Sequence, residues 1–208
     1  MTGSAVAGGN LLMRDSNDAS AHFETLRQDI QLPVRWYLSS DGLPGSGLSN
    51  GQLQTLLQNA FDTWEQLPSS RIQFEYAGEI DRNRGGIDGV NLITFTDQSY
   101  IFPSGVLAVA ATYTFTQETT VSDANNDLDG DGTPDIPNGV YPAGSIYEAD
   151  IIFNASYDFT TTGDVGSIDL QAVALHEIGH SVGLSHTIID GAVMHPFLSQ
   201  DVLSARIP

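Results

Sequence analysis

The chain has 208 residues and is strongly acidic, with 26 Asp and Glu against 7 basic residues, all arginine, for a formal net charge of −19. Such a field repels nucleic-acid phosphates and anionic lipid headgroups, and no apolar stretch approaches the length of a membrane span, so we expect neither nucleic acid nor a membrane as a partner. The absence of cysteine excludes disulfides, thiolate metal ligands and a cysteine nucleophile, while 40% apolar residues suffice for one domain with a buried core.

The first part of the chain predicts an arm rather than a folded unit. Residues 1–30 are small and polar with little periodicity, so we expect a flexible N-terminal arm ahead of one domain over residues 31–208. The first eighteen residues lack a basic segment followed by an apolar core, so they are not predicted to be a signal peptide.

The clearest predicted helix covers residues 48–67. Its apolar residues recur at steps of three and four on one face: Leu53, Leu56, Leu57, Ala60, Phe61, Trp64 and Leu67. Ser49 followed by Gln52 is typical of an N-terminal capping box, and Pro68 stops the helix. The stripe predicts a core-facing helix and not a ligand site.

The remaining regular elements are predicted strands and one further helix. Strand patterns occur at residues 33–39, 71–77, 90–96, 105–116 and 149–154. A second helix is predicted to begin near Asp169 and to carry the apolar residues Leu170, Val173, Ala174, Leu175 and Ile178. The order strand, helix, several strands, helix predicts an α+β fold in which the helices pack on a sheet.

An acidic loop lies between the last two predicted strands. Carboxylates at alternating positions before a turning glycine, Gly132, are the pattern by which an EF-hand-like loop wraps Ca²⁺. The candidate ligands are Asp127, Asp129, Asp131, Thr133 and Asp135, and Asp123 and Asn125 extend the alternation toward a second ion or complete the first. Position twelve is Asn138 rather than the usual Glu, and a solvated acidic loop without calcium is the alternative.

The second helix leads into "HEIGHSVGLSH", residues 176–186, which holds three of the five histidines. Positions i and i+4 of a helix share a face, so His176 and His180 can offer ring nitrogens to one ion. Glu177 then lies beside the metal without pointing at it, which suits a base that takes a proton from a water activated by the metal. The alternative is an amphipathic helix with incidental histidines.

A glycine after the second histidine favours the metal site. Gly183 can adopt the left-handed conformation that ends a helix, and the chain then returns His186 as a third ligand. Three neutral nitrogens on Zn²⁺ leave a fourth position open, which is the arrangement of a catalytic zinc.

The pattern H-E-x-x-H-x-x-G-x-x-H resembles the signature of the metzincin zinc endopeptidases. The segment "GAVMHP", with Met194 eight residues after His186, is similar to the methionine-containing turn of the matrixin (matrix metalloproteinase-like) branch. The likeness extends over roughly residues 32–197 and is specific mainly at 176–196. It implies a twisted mixed five-stranded sheet packed on two long helices, with a cleft, and it places Met194 beneath the metal as a hydrophobic floor.

The resemblance also assigns roles outside the histidine cluster. Residues 105–110 resemble the family's edge strand, along which a substrate peptide lies extended, so Leu107 and Ala108 would supply main-chain groups. An inner strand is the alternative from sequence alone. His195 is expected to be either a residue of the pocket or a surface histidine.

The chain also departs from the family pattern. The places that match the histidines of a second, structural zinc are Val109 and Ile152, so we expect that zinc to be absent and calcium to tether the loops instead. Residues 197–208, "FLSQDVLSARIP", show no convincing helix, so the family's C-terminal helix is expected to be missing or truncated.

These patterns predict a secreted, monomeric zinc endopeptidase that cleaves protein or peptide substrates, with one catalytic Zn²⁺ and one or more structural Ca²⁺. Glu177 is the predicted general base. Two alternatives stay open: a catalytically silent, calcium-stabilised binding module of the same fold, and a zinc hydrolase of a non-peptide substrate.

Overall fold

The computed structural model describes residues 12–14, 23–25, 33–68, 71–128, 130, 132–162 and 168–197. The predicted flexible arm lies largely outside these ranges, although two short strands within it, Leu12–Arg14 and Phe23–Thr25, pair antiparallel. The expectation of a missing C-terminal helix concerns residues 197–208, of which 198–208 also lie outside the described residues. None of the described helices is long and apolar enough to cross a membrane.

The elements follow the predicted order. In chain order they are β1 (Leu12–Arg14), β2 (Phe23–Thr25), β3 (Val34–Ser39), α1 (Asn50–Glu65), β4 (Phe74–Ile80), β5 (Asn91–Thr94), β6 (Ala108–Thr114), β7 (Thr119–Val121), β8 (Gly139–Tyr141), β9 (Ile146–Phe153), β10 (Phe159–Thr160), β11 (Ile168–Asp169) and α2 (Leu170–Ser181). The predicted helix over 48–67 is therefore shorter by two residues at each end, and the strand predicted over 105–116 is confined to β6.

Five strands form one mixed sheet in the order β4-β3-β5-β9-β6. The first four run parallel, and β6 pairs antiparallel with β9, with Val109 opposite Ile152. The predicted α+β fold with a mixed five-stranded sheet and two helices is confirmed. Among the described residues β6 is an edge strand of this sheet, with β9 as its neighbour, so within them the alternative of an inner strand does not hold.

Both helices pack on one face of the sheet. The stripe of α1 is buried as predicted, with Phe61 stacked against Trp36 at a ring-centroid distance of 4.6 Å. Ser49 and Gln52 form the predicted capping box at the start of α1. Trp64 donates its indole N–H to the Leu175 carbonyl at 2.8 Å, so α1 is tied directly to the helix that carries the histidines.

The other face of the sheet carries two fully buried carboxylates on β9. Glu148 accepts hydrogen bonds from the backbone N–H groups of Asp88 and Gly89, and Asp150 accepts from Gly86 and Leu92. Burial of a carboxylate is tolerable only when it is hydrogen-bonded. The glycine-rich loop between β4 and β5 is therefore fastened over the sheet by side chains of β9.

The acidic segment forms a small unit of its own between β6 and β9. Strands β7 and β8 pair antiparallel, and Val121, Ile136 and Tyr141 form a separate buried cluster. Phe115, just after β6, stacks on Tyr141 at 5.5 Å. The segment is thus anchored to the end of the edge strand by aromatic packing.

Candidate active site

Helix α2 begins and ends with local structures that fix the histidines in place. Asp169 caps its start by accepting a hydrogen bond from the Ala172 N–H at 2.9 Å. At its end Gly183 has φ of 96°, and the bonds Gly183 N–H to His180 O and Leu184 N–H to Gly179 O, both 2.9 Å, close a Schellman motif. The chain reverses here, as predicted from Gly183, and returns His186 toward the helix.

The three predicted ligand histidines meet at one point. Their Nε2 atoms are 3.0 Å apart for His176 and His180, and 3.1 Å from each of these to His186. Among the described residues, these three are the one group of acidic, cysteine or histidine side chains that could jointly hold a metal. The incidental-histidine alternative does not account for this convergence.

Hydrogen bonds fix the tautomers of two of the histidines. Nδ1 of His176 lies 2.7 Å from the Val193 carbonyl, and Nδ1 of His180 lies 2.7 Å from the Leu184 carbonyl. A carbonyl can only accept, so each Nδ1 carries the proton and each Nε2 presents a lone pair. Burial lowers the pKa of both rings to about 4, which keeps them neutral at physiological pH.

The donor set fits a zinc ion. Lone pairs facing one another at 3.0–3.1 Å repel unless a cation lies between them. Ligand nitrogens about 2.0–2.1 Å from a tetrahedral zinc are roughly 3.3–3.4 Å apart, close to these separations. Burial also lowers the pKa of His186, so all three rings favour the neutral form that binds metal.

Glu177 is buried beside this cluster, with 6% of its surface exposed. Burial raises the pKa of its carboxyl to about 8, opposed in part by a hydrogen bond with the backbone of Ala110 on β6. The carboxyl is thus held between α2 and the edge strand and is not one of the three groups that converge. The contact with Ala110 was not foreseen, because a backbone donor leaves no mark in the residue pattern.

Met194 packs against the helix that carries His176 and His180, and its role as a floor beneath a metal stays a prediction. It is buried, its carbonyl accepts from Thr187 N–H at 2.9 Å, and its side chain packs on Gly179 of α2. The neighbouring Val193 supplies the carbonyl that holds His176. The turn therefore supports the site through packing and through one hydrogen bond to a candidate ligand.

A cavity of about 480 Å³ opens in front of the histidines. It is lined by residues 105–110 of the edge-strand segment, by Ala172 and Val173 of α2, and by Ala192, Val193, His195, Pro196 and Phe197 beyond the third histidine, as well as by the cluster itself. Most of this lining is apolar. His195 lines the cavity, so of its two expected positions it occupies the one in the pocket.

The backbone of β6 alternates between its neighbour and the open edge. The Leu107 carbonyl accepts from Asn154 N–H at 2.9 Å, and Phe115 exchanges bonds with Ser145 and Gly144, so these odd-numbered residues face β9. Ala110 instead faces Glu177. By this period of two, Ala108 and Thr112 turn their main-chain groups to the open edge, whereas Leu107 lines the cavity.

The predicted calcium ligands are only partly described. Asp129 and Asp131 lie outside the described residues. Asp127 accepts hydrogen bonds from the N–H groups of Gly130 and Gly132, at 2.7 and 2.9 Å, and Asp135 accepts from Leu128 at 2.6 Å. Through these bonds, backbone N–H groups of the loop surround the carboxylates of Asp127 and Asp135.

The outlying candidates join the same loop. Asp123 accepts from the Asn138 amide at 2.6 Å, and the Asn125 side chain accepts from Ser122 N–H at 2.7 Å. Thr133 is exposed in the same segment. The five described candidates thus belong to one loop whose role in calcium binding stays a prediction.

A histidine triad beside a buried carboxylate, below an open edge strand, is the arrangement of a metallopeptidase site. The sequence model of the matrixins matches residues 34–207, and the chain therefore belongs to the matrixin family of peptidases. The predicted resemblance is confirmed.

Individual relatives match over shorter stretches. Karilysin of Tannerella forsythia is 38% identical over 56 residues, 27% of this chain and 11% of karilysin. Metalloendoproteinase 1 of Glycine max is 42% identical over 50 residues, 24% of this chain and 16% of the relative. Neutrophil collagenase of Homo sapiens is 39% identical over 72 residues, 32% of this chain and 15% of the relative. The matches thus span at most 16% of each of these relatives.

Proposed function

We propose that this matrixin is a zinc-dependent endopeptidase that cleaves peptide bonds in proteins. The observation that carries the proposal is the convergence of three Nε2 atoms within 3.1 Å beside the buried carboxylate of Glu177. The intact carboxylate disfavours a silent binding module, and the open edge of β6 disfavours a small non-peptide substrate.

His176, His180 and His186 would hold the zinc. When bound, zinc acts as a Lewis acid that acidifies a water and polarises the scissile carbonyl. The fixed tautomers of His176 and His180 keep their lone pairs turned inward, so little reorganisation is needed on binding.

Glu177 would move the protons. Next to a bound zinc cation the ionised form of this buried carboxyl would be favoured, and the carboxylate would then accept the proton of the attacking water and deliver it to the leaving amine. The cavity in front of it has a mainly apolar lining, and the hydrogen bond from the Ala110 backbone would orient the carboxylate. The exchange adds one water across the peptide bond and leaves the enzyme unchanged.

The substrate would lie extended along β6. Strand addition uses main-chain hydrogen bonds for affinity and side-chain pockets for selectivity. Of the two predicted residues, Ala108 would offer its backbone to the substrate at the open edge. Leu107 would contribute its side chain to the cavity. Thr112 joins Ala108 by the same alternation.

The acidic loop would bind calcium, and the bound ion would hold the segment between β6 and β9 against the sheet. The ligands would come from Asp127, Asp129, Asp131, Thr133 and Asp135, with Asp123 and Asn125 nearby. Carboxylates at alternating positions support this assignment. We further propose that the protein works outside the cell and that it is a monomer. Size-exclusion chromatography with light scattering would test the oligomeric state.

The direct test of the mechanism is Glu177→Ala with casein as substrate. Hydrolysis should fall by about 10²–10⁴-fold, the typical contribution of a general base, while zinc content stays at one per chain. Glu118→Ala, at an exposed site beyond β6, is the matched control and should retain full hydrolysis. Undiminished hydrolysis in Glu177→Ala would refute the mechanism, and no hydrolysis by the zinc-loaded wild type would favour the silent module.

A further inference from the structure

Residues 105–107 line the cavity directly ahead of β6, yet they are not part of a regular strand. They follow a tight turn in which the Val106 N–H donates to the Pro103 carbonyl at 3.2 Å, and Gly105 in this turn has φ of 86°. In the part of the chain that the structure describes, the hydrogen bonds that join residues 105–107 to the sheet come from Asn154, directly after β9. The position of this cavity wall therefore depends on Asn154.

Asn154 forms a hydrogen bond with each of its nitrogen and oxygen atoms. Its backbone N–H donates to the Leu107 carbonyl at 2.9 Å, and its backbone carbonyl accepts from the Tyr157 N–H at 3.1 Å. In the side chain, Nδ2 donates to the Val106 carbonyl at 2.9 Å, and Oδ1 accepts from the Ser156 N–H at 3.2 Å and from its hydroxyl at 2.6 Å. Because a carbonyl can only accept and a backbone N–H can only donate, these partners fix which end of the amide faces Val106.

The bond to Val106 also determines where the open edge of the sheet begins. Ala108 turns its main-chain groups to the open edge, whereas Leu107 bonds Asn154 on the side of β9. By the same alternation the Val106 carbonyl would belong to the open edge, but the Asn154 amide holds it on the side of β9. The row of main-chain groups that a substrate strand can pair with therefore begins at Ala108.

We propose that Asn154 is a positioning residue for substrate binding. Its side-chain amide holds residues 105–107 so that an extended peptide pairs with the edge from Ala108 onward, beside a cavity wall of fixed shape. The inference rests on the proposed endopeptidase function. Asn154 does not line the cavity itself, so it acts through the segment that it holds.

The groups that would carry out the chemistry are held independently of the Asn154 side chain. The histidines of the helix are oriented by the carbonyls of Val193 and Leu184, and Glu177 by the backbone of Ala110 within the regular part of β6. Loss of the Asn154 amide should therefore weaken substrate binding and spare the chemical step. Such a change raises KM and leaves kcat as it was.

Asn154→Asp tests this directly, because it keeps the size of the side chain and removes the donor to Val106. In the folded, zinc-loaded variant, KM for a fluorogenic peptide should rise by about 2- to 10-fold, the effect of one hydrogen bond. The value of kcat and the zinc content should not change. A general loss of stability would instead lower the fraction of active enzyme and leave KM as it was.

Asn91 on β5 offers a matched control. Its Nδ2 donates to the Arg35 carbonyl and its Oδ1 accepts from the Ala149 N–H, both at 2.8 Å, and it does not line the cavity. Asn91→Asp should lower the free energy of unfolding in urea to a similar extent as Asn154→Asp, but it should keep the wild-type KM. An equal rise of KM in both variants would overturn the positioning role.

A series of shortened peptides locates the effect along the substrate. Residues are removed one at a time from either end, and KM is measured with wild type and with Asn154→Asp. Removal of the residues that reach Ala108 should raise KM less in the variant than in wild type, whereas removals at the other end should have equal effects. Equal effects at every step in both proteins would overturn the assignment to this end of the edge.

The outcomes separate this inference from the proposed function. Wild-type KM in folded Asn154→Asp would overturn the positioning role and leave the endopeptidase function standing, whereas resistance of every peptide and of casein to zinc-loaded wild type would overturn both. If Asn154→Asp does not fold, Ser156→Ala decides, because it removes only the hydroxyl that bonds the amide oxygen. Its KM should rise by about 2-fold at constant kcat, and an unchanged KM would overturn the inference.

Discussion

At the scale of single residues, the packing beneath the histidines depends on Gly179, a residue without a side chain. A Cβ on Gly179 would lie 2.3 Å from the Met194 sulfur and 3.0 Å from a ring carbon of Trp64. The sequence assigns this glycine only a place between two histidines. The close packing of helix, turn and tryptophan arises from contacts far apart in the chain, which residue spacing cannot predict.

Gly179→Ala should therefore destabilise the zinc-loaded protein by about 1–3 kcal/mol, the usual cost of overpacking a core. Gly51→Ala is the control, because Gly51 lies in α1 with nothing within 4 Å of the added Cβ. That change should be neutral or stabilise by about 0.4–1 kcal/mol. Urea unfolding measures both, and equal effects would contradict the packing account.

The histidines show what sequence does predict at this scale. Their spacing gave the three candidate ligands and the base, because helical periodicity and a terminating glycine are local properties. The carbonyls of Val193 and Leu184 that fix the tautomers were not predictable, since any residue type offers a carbonyl.

At the scale of elements, the main-chain groups of β6 alternate between β9 and the open edge, and this alternation leads to a prediction. If a substrate adds to the open edge as a strand, N-methylation of its peptide groups should be harmful only at every second position. Each harmful methyl removes one main-chain hydrogen bond and should raise KM by roughly 5-fold or more, equivalent to about 1 kcal/mol.

The matched controls are peptides of the same sequence that are methylated at the intervening positions, where the peptide N–H would not pair with β6. Steady-state cleavage of the methylated series gives the pattern directly. Uniform sensitivity along the peptide, or none, would show that the substrate does not pair with β6 as a strand.

Strand β9 makes a prediction about pH through its buried carboxylates. Burial raises the pKa of Glu148 from 4.5 to about 8 and that of Asp150 from 3.8 to about 7, more than their backbone hydrogen bonds lower them. Between about pH 4 and pH 8 the folded protein retains protons that the unfolded chain has released. Stability should therefore fall as pH rises through this window.

Glu148→Gln removes one of these ionisations while its amide oxygen can still accept from Asp88 and Gly89. Its unfolding free energy should decline less between pH 5 and pH 8 than that of wild type. Glu118→Gln removes one exposed charge and should keep the wild-type slope. Parallel slopes for wild type and Glu148→Gln would reject the role assigned to Glu148.

The elements were more predictable than their arrangement. The caps of α1 and α2 lie in their own residues, so Ser49, Gln52 and Asp169 marked the helix starts correctly. Strand order depends on pairings such as Ala110 with Ile151, 41 residues away, and was not predicted. The family resemblance implied only a mixed sheet of five strands with residues 105–110 at its edge. The bonds from the β4–β5 loop to Glu148 and Asp150 had no sequence signal beyond glycine.

At the scale of the whole molecule, the acidic loop is expected to need calcium. Chelator-treated protein reloaded with zinc alone should melt several degrees lower than protein given zinc and calcium, because a bound ion stabilises only the folded loop. Asp127→Asn with Asp135→Asn should abolish this calcium increment, and Asp62→Asn with Asp81→Asn should not. Full thermal stability with zinc alone would exclude a structural calcium site.

The central claim is that three histidines and one glutamate form a zinc-dependent peptidase site. The most direct measurement is a zinc titration of chelator-stripped protein at saturating calcium, with cleavage of a fluorogenic peptide as the readout. Activity should rise linearly and reach a plateau at one zinc per chain, and His180→Ala should show no such rise. Peptide cleavage by the stripped protein, or a rise without a break at one equivalent, would contradict the account.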